Sequence, residues 1–224
     1  MTAIDLGVVV IGSGRSGTAW AAHRLTESGV PCGHESVFDW HPSSDPSRRL
    51  DYPGRTPSEH EPPPDVELRA ESSLAAIAHL AHLPARCHVW HVVRDPRDVI
   101  ASWAGSGILT RPAETPYGRF MLAHVPAIDA EPLTIGRAAR WVAEWNLRGA
   151  AATAALGLTY ERTQVEQAAA EVVYRHRDES GIRRRLTWAD VDEASTDETL
   201  ELLDAWAHLA GYAHRVAPGD TVAV

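Results

Sequence analysis

A short segment near the amino end of the chain combines the residue types that bind phosphate. Residues 12–18 read Gly-Ser-Gly-Arg-Ser-Gly-Thr, and four aliphatic residues, 8–11, come directly before them. Glycines let backbone N–H groups approach an anion closely, and a helix that starts at Gly17 adds its positive N-terminal end. The pattern predicts a buried strand, an anion-binding loop with its own cation, Arg15, and then a helix.

A second cation follows another apolar run, at residues 87–93. Arg94 ends this run, and the Asp95-Pro96 pair after it is typical of a helix N-cap with proline at the first helical position. Open α/β sheets bind ligands at the carboxyl ends of their strands, so Arg15 and Arg94 are expected at the same edge. Two anion sites there predict a ligand with phosphates at both ends.

The first loop has several interpretations. As Gly-x-Gly-x-x-Gly, residues 12–17 would bind a dinucleotide, but this pattern alone is weak and Arg15 would crowd the pyrophosphate. As a Walker A loop the segment lacks the lysine, because Thr18 follows Gly17 directly. As an anion loop it surrounds an arginine with N–H donors and hydroxyls. A plain glycine turn that joins strand to helix is the remaining alternative.

The anion-loop interpretation resembles a known family, the sulfotransferases that use 3′-phosphoadenosine 5′-phosphosulfate (PAPS). In that family a Lys or Arg precedes Ser-Gly-Thr, often followed by Thr and Trp, and here the residues are Arg15-Ser16-Gly17-Thr18-Ala19-Trp20. The second family motif is an Arg at a strand end with a Ser eight residues later, which Arg94 and Ser102 resemble. The likeness covers the nucleotide-binding half, fades after about residue 110, and implies a P-loop-like α/β fold.

The resemblance implies roles for the residues of the first motif. Arg15 would bind the 5′-phosphosulfate and stabilise charge on the bridging oxygen. Backbone and hydroxyl donors would come from the next three residues, Ser16, Gly17 and Thr18. Ala19 replaces a frequent threonine, which removes one hydroxyl from the loop. Trp20 matches a family aromatic residue that packs on adenine, and a core tryptophan is the alternative.

The resemblance also implies contacts at the other end of the nucleotide. Arg94 and Ser102 would bind the 3′-phosphate. Tyr160, with Glu161 after it, looks like a family Tyr-Glu pair at a strand end near the nucleotide. Arg184, in the middle of three arginines, resembles a late basic loop that closes on the 3′-phosphate, with a solvated basic turn as the alternative.

One acidic residue is placed to accept a proton from the acceptor substrate. Sulfuryl transfer depends on positioning and charge stabilisation, and a carboxylate or imidazole takes the proton. Some branches of the family use a downstream histidine, and others a Glu just after the second strand. Glu35 resembles the second kind, since it follows Arg15 by one helix and one strand. The alternative bases are His34, His41 and His60.

Composition limits the class of protein. A formal charge of −9 over 224 residues argues against a general binder of nucleic acid or anionic membranes. The N-terminal segment has the pattern of neither a signal peptide nor a membrane span. The two cysteines are expected to be buried and reduced, as in a cytoplasmic protein. The 12 histidines are scattered, and no metal site is indicated.

Strands and helices alternate along the chain, which predicts an α/β fold: a three-layer sandwich with a central parallel sheet. The predicted strands are 6–11, 31–35, 87–93 and 156–160. The predicted helices are 17–28, 66–84, 95–105, a long one after the irregular stretch 106–132, and two that open on capping boxes at 163–166 and 195–198. The chain, 1–224, is expected to be one domain, with the proline-rich segment 36–66 as a mobile cover over the site.

Together, the residues and the resemblance predict an enzyme. It would transfer the sulfuryl group of PAPS, in line, to a hydroxyl or amine of a small molecule or glycan, without a metal. The alternatives are a P-loop kinase, which would need a Walker lysine and Mg²⁺ ligands, and a non-catalytic nucleotide-binding module. An NAD-dependent oxidoreductase rests on the glycine spacing alone.

Overall fold

The computed structural model describes residues 6–38, 62–63, 65–168 and 186–212. Its five strands are β1 (Val8–Ile11), β2 (Cys32–His34), β3 (Ala70–Ser72), β4 (His88–Val93) and β5 (Thr159–Gln164). They form one sheet in the order β2-β3-β1-β4-β5, and every neighbouring pair is parallel. The predicted central parallel sheet is therefore confirmed.

Helices follow β1, β4 and β5 along the chain. In the described residues they are α1 (Thr18–Glu27), α2 (Pro96–Ala104), α3 (Pro116–His124), α4 (Thr134–Ala155), α5 (Val165–Ala168), α6 (Trp188–Ala194) and α7 (Asp197–Ala210). Three 3₁₀ segments add Leu74–His82, Pro112–Glu114 and Pro126–Ala130. None of the helices in this part of the chain is both long and apolar enough to span a membrane.

The helices cover both faces of the sheet. Consecutive strand residues face opposite sides, so the apolar run of β1 serves both layers. On one side Trp20 of α1 packs with Val10 and Val92. On the other side Val9 and Ile11 join the main apolar core, which includes four fully buried tryptophans: Trp103, Trp141, Trp145 and Trp206. The three-layer α/β sandwich predicted from the alternating pattern is thus confirmed.

One strand inside the sheet was not predicted. The segment from residue 66 was expected to be helical, but Ala70–Ser72 forms β3, between β2 and β1, before the 3₁₀ segment starts. Its residues Glu71 and Ser72 are polar yet fully buried. This strand has no apolar pattern in the sequence, because two of its buried side chains are polar and are satisfied by hydrogen bonds.

Two further boundaries differ from the prediction around β5. The strand runs over Thr159–Gln164 rather than 156–160. The capping box expected at 163–166 does not form, because Gln164 completes the strand and the Glu166 carboxylate instead accepts hydrogen bonds from Asp95 N and Tyr212 Oη, both at 2.8 Å. A contact to residues far along the chain has replaced the local cap.

Two helix starts also differ. α7 begins one residue later than the motif at 195–198 suggests, since the Thr196 side chain, and not Ser195, accepts from Thr199 N as the N-cap. A capping box does occur at α6, where the side chains of Thr187 and Asp190 each accept a hydrogen bond from the backbone N–H of the other residue. The stretch 106–132, expected to be irregular, contains α3 and two 3₁₀ segments.

Candidate active site

A cavity of about 300 Å³ opens at the carboxyl ends of the central strands. It brings together residues from both predicted anion motifs and the predicted base: Arg15, Gly17, Thr18, Ala19, Glu35, Arg94 and Ser102. Four further residues complete the wall of the cavity: Gly14, Trp103, Ile108 and Tyr117. The sequence analysis did not name them as binding residues. His34, an alternative base, lines the same cavity.

The loop between β1 and α1 has the geometry of an anion cradle. Its backbone takes positive φ at Gly14 (73°), Arg15 (56°) and Gly17 (109°). Gly17 is the N-cap of α1, and it has neither a side-chain cap nor an acidic residue in the first turn of the helix. Within the described residues, the N–H groups of 14–18 donate no hydrogen bond. These donors and the positive end of the helix are the elements that bind phosphate or sulfate.

Two tryptophans from distant helices hold this loop in place. Trp103 Nε1 of α2 and Trp141 Nε1 of α4 both donate to the Ser13 carbonyl, at 3.1 and 2.9 Å. A Cβ at Gly14 would come within 2.8 Å of the Trp103 ring, so the indole packs directly on the loop backbone. Contacts with the core therefore support this loop conformation.

Arg15 lies along an aromatic wall. Its guanidinium carbon is 5.5 Å from the centre of the Trp103 ring, and that ring lies 5.5 Å from the Tyr117 ring. A cation over an aromatic face is attracted by the ring quadrupole, which keeps the charge at the cavity while its hydrogen-bond donors stay available. The next residue behaves differently: the Ser16 hydroxyl is buried beside Gly12 and, in the described residues, has no hydrogen-bond partner.

Arg94 and Ser102 form the second polar corner of the cavity. Arg94 follows β4 directly, and Ser102 is buried two turns into α2. Asp95 caps this helix by accepting from Arg97 N at 2.9 Å, as predicted for the Asp-Pro pair. The Arg94 side chain makes an ion pair of 3.3 Å with Asp98, in which only some of its five donors are engaged.

Glu35 enters the cavity from the turn after β2. Within the described ranges it is the second non-glycine residue with a left-handed backbone, φ 54°, and its N–H donates to the Ser72 carbonyl at 3.0 Å. Tyr117 Oη donates to its carboxylate at 3.3 Å. His34 beside it lies 3.4 Å, through Nε2, from Thr18 Oγ1, so this imidazole is tied to the first turn of α1.

A second carboxylate lies beneath Glu35. Glu71 of β3 is fully buried, and burial raises its pKa to about 7, although hydrogen bonds from Val37 and Ser36 act to lower it. The nearby Glu35 charge raises it further. The charge on Glu35 therefore acts on a buried carboxyl group, whereas Glu35 itself lines the cavity.

Other predicted residues lie elsewhere. Trp20 is buried among Val10, Val92 and Val165 and does not line the cavity. Tyr160 is the second residue of β5, not its last, and its hydroxyl lies 2.9 Å from His91 Nδ1, away from the cavity. Three predicted residues lie outside the described part of the chain: Arg184, His41 and His60. Most of the proline-rich segment 36–66 also lies outside it.

No cluster of three or more His, Cys, Asp or Glu side chains in the described ranges is arranged to hold a metal ion. The two cysteines, Cys32 and Cys87, are buried free thiols, as predicted.

Comparison of the chain with protein-family models, with curated proteins and with solved structures finds no match in any of the three.

Proposed function

We propose that this protein is a PAPS-dependent sulfotransferase with a P-loop-like nucleotide site. The observation that carries the proposal is the shared cavity, which is lined at once by the Arg15 loop, by the Arg94–Ser102 pair and by Glu35. A nucleotide with charged groups at its 5′ and 3′ positions matches two cationic corners. The Glu35 carboxylate, which lines the same cavity, supplies a base.

The first corner suits the 5′-phosphosulfate. The N–H groups of 14–18, the end of α1 and Arg15 would surround its oxygens. Thr18 adds a hydroxyl to the lining, whereas the Ser16 hydroxyl is turned toward Gly12, so Ser16 would contribute its backbone N–H. The 3′-phosphate would take charge-assisted hydrogen bonds from Arg94 and a further one from Ser102.

The transfer needs few protein groups. The Glu35 carboxylate accepts the proton of the acceptor's hydroxyl or amine, and the freed lone pair forms a bond to sulfur. The bond between sulfur and the bridging oxygen breaks in line, and its electron pair stays on that oxygen, which leaves as 3′-phosphoadenosine 5′-phosphate. Arg15 and the loop N–H groups stabilise the charge that develops there. The mechanism uses no metal.

The acceptor is a small molecule or glycan that fits beside the aromatic wall. Trp103, Ile108 and Tyr117 give this side of the cavity an apolar character next to Glu35. The two buried free thiols fit a reducing compartment, so we place the reaction in the cytoplasm.

The experiment is transfer of labelled sulfate from PAPS to a panel of phenols, sugars and aminoglycosides. We expect label in at least one acceptor, with release of one 3′-phosphoadenosine 5′-phosphate per transfer. The Arg15→Ala/Glu35→Gln double variant serves as the background control. Absence of transfer to every class of acceptor, with a folded protein, contradicts the proposal.

A thermal-shift panel separates the proposal from a kinase or an oxidoreductase. A ligand that binds only the folded state raises the melting temperature. We expect 3′-phosphoadenosine 5′-phosphate to stabilise the protein more than ATP with Mg²⁺ or NAD at equal concentration. Preferential stabilisation by either of the other ligands contradicts the nucleotide assignment.

A further inference from the structure

Glu71 occupies a position where a parallel sheet ordinarily holds an apolar residue. It is the middle residue of β3, with strands on both sides, and its side chain is fully buried. A buried carboxylate is destabilising unless hydrogen bonds compensate for the lost water. The mechanism proposed above gives this residue no task, so its presence calls for another role.

The carboxylate is fully engaged by the turn that follows β2. Oε1 accepts from Ser36 N at 2.6 Å and from Val37 N at 3.1 Å, and Oε2 accepts from the Ser36 hydroxyl at 2.8 Å. Gly33 is its register partner across the sheet, and a Cβ there would overlap Oε2. Glycine at 33 thus leaves the space that the carboxylate fills.

The residue directly before this turn is Glu35. Its left-handed backbone, φ 54°, is strained for a non-glycine residue and persists only where surrounding contacts enforce it. Here the contacts are the Glu35 N–H bond to the Ser72 carbonyl and the bonds from Ser36 and Val37 to Glu71. Glu71 and Ser72 of β3 therefore fix the backbone on both sides of the Glu35 side chain.

We propose that Glu71 is a positioning residue that holds the Ser36–Val37 turn and so directs the Glu35 carboxylate into the cavity. The inference rests on the proposed function for the role of Glu35 as base. The placement of the turn itself does not depend on that function, so the two can be tested separately.

Two substitutions at 71 isolate the hydrogen bonds from the volume. Glu71→Gln keeps one oxygen as acceptor for the two N–H groups and presents an amide to the Ser36 hydroxyl. Glu71→Leu fills similar space and accepts nothing. Ser36→Ala removes one of the three bonds and provides a milder variant if Glu71→Leu does not fold. Glu67→Gln, at a side chain that is 79% exposed, is the matched carboxylate control.

The first readout is amide hydrogen exchange at Ser36 and Val37, which needs no substrate. We expect exchange at least tenfold faster in Glu71→Leu, an intermediate change at Ser36 in Ser36→Ala, and near wild-type protection in Glu71→Gln and Glu67→Gln. Unchanged protection of both amides in folded Glu71→Leu, or in Ser36→Ala if the former does not fold, overturns the proposal.

The second readout is turnover at saturating PAPS. A base displaced by about 1 Å can lose on the order of a hundredfold in rate, so we expect kcat of Glu71→Leu to fall ten- to a hundredfold. Affinity for 3′-phosphoadenosine 5′-phosphate should stay within about twofold, and Glu71→Gln should restore most of kcat. Lost amide protection with unchanged kcat overturns the link to Glu35. If wild type transfers no sulfate at all, the proposed function fails while the exchange result still decides the role of Glu71 in the turn.

Discussion

At the scale of residues, Arg15 and Glu35 share an uncommon backbone conformation. They are the two non-glycine residues with positive φ in the described part of the chain, and both line the same cavity. Such conformations cost energy and cluster where a side chain must be held in one direction. The loop held by two tryptophans and the turn held by Glu71 provide the contacts that offset this cost.

Arg15 is expected to matter more to the rate than to nucleotide affinity. Charge builds on the bridging oxygen only as the bond to sulfur breaks, so a cation there stabilises chiefly the transition state. Arg15→Ala should lower kcat by on the order of a hundredfold, measured at saturating PAPS. Arg15→Lys should recover much of this loss. An alanine variant that turns over at the wild-type rate would contradict this role.

Glu35 is expected to act as the general base that accepts the proton of the acceptor substrate. Glu35→Gln keeps the shape and the contact with Tyr117 but cannot take a proton, so turnover should fall by roughly 10²–10⁴-fold while 3′-phosphoadenosine 5′-phosphate binds as before. His34→Ala is the control and should have a milder effect, since that imidazole contacts Thr18. Near-full activity of Glu35→Gln together with an inactive His34→Ala would move the base to the imidazole.

The sequence reveals some of these residues and hides others for a physical reason. Arg15 and Arg94 stand in local patterns, each a cation close to the end of a strand, and Ser102 follows Arg94 at a spacing of eight residues. Trp103 and Tyr117 act on partners about 80–90 positions away, Ser13 and Glu35, and no local spacing encodes such contacts. Trp20 shows the converse, because its place in the motif does not bring it to the cavity.

At the scale of elements, the join between β1 and α1 requires glycine for two separate reasons. Gly17 has φ 109°, and a Cβ there would come within 2.7 Å of Val165, so α5 packs directly on the loop. Gly29, after α1, has φ 87° but nothing within 4 Å of a Cβ. A comparison of substitutions at Gly17 and Gly29 therefore separates the cost of a positive φ from the cost of steric overlap.

Gly17→Ala is therefore expected to cost more stability than Gly29→Ala. Gly29→Ala should lower the free energy of unfolding by about 1 kcal/mol, from the positive φ alone. Gly17→Ala should lose a further 1–3 kcal/mol, roughly, because Val165 must move. Urea denaturation of both variants measures the difference. Equal losses would show that α5 yields freely at this point.

Elements with apolar patterns were predictable, and elements satisfied by hydrogen bonds were not. β1 is an aliphatic run and β4 is mainly apolar, both are mostly buried, and their positions were close to those predicted. β3 reads Ala-Glu-Ser, which carries no strand pattern, because its glutamate is satisfied by residues that precede it by 34 and 35 positions. Glu131 gives a similar case, since this buried carboxylate accepts from Thr196 N at 3.0 Å, at the N-cap of α7.

At the scale of the whole molecule, two buried groups give opposite dependences of stability on pH. Burial lowers the pKa of His91 to about 4, so below pH 6.5 the unfolded chain gains a proton that the folded protein lacks, and stability falls as the pH falls. Burial raises the pKa of Glu71 to about 7, so between pH 4.5 and 7 the folded protein holds the extra proton, and stability falls as the pH rises.

Removal of the Glu71 carboxyl group should leave the pH dependence of stability that comes from His91. In Glu71→Gln the free energy of unfolding should fall more steeply on acidification from pH 6.5 to 4.5 than in wild type. The slopes should differ by up to about 1.4 kcal/mol per pH unit, the limit for one proton. Urea denaturation across this range measures both slopes. Parallel curves would show that Glu71 keeps its ordinary carboxyl titration in the folded protein.

The protein carries a formal charge of −9, so its overall field repels a nucleotide, and affinity must come from local cations and helix ends. Calorimetry with 3′-phosphoadenosine 5′-phosphate and with adenosine 5′-phosphate therefore tests the account most directly. Arg94→Ala should weaken the first ligand tenfold or more and the second much less, because only the first has a 3′-phosphate. The control Arg69→Ala, at an exposed side chain before β3, should change neither. Equal losses for both ligands in Arg94→Ala, or no binding of either to wild type, would contradict the account.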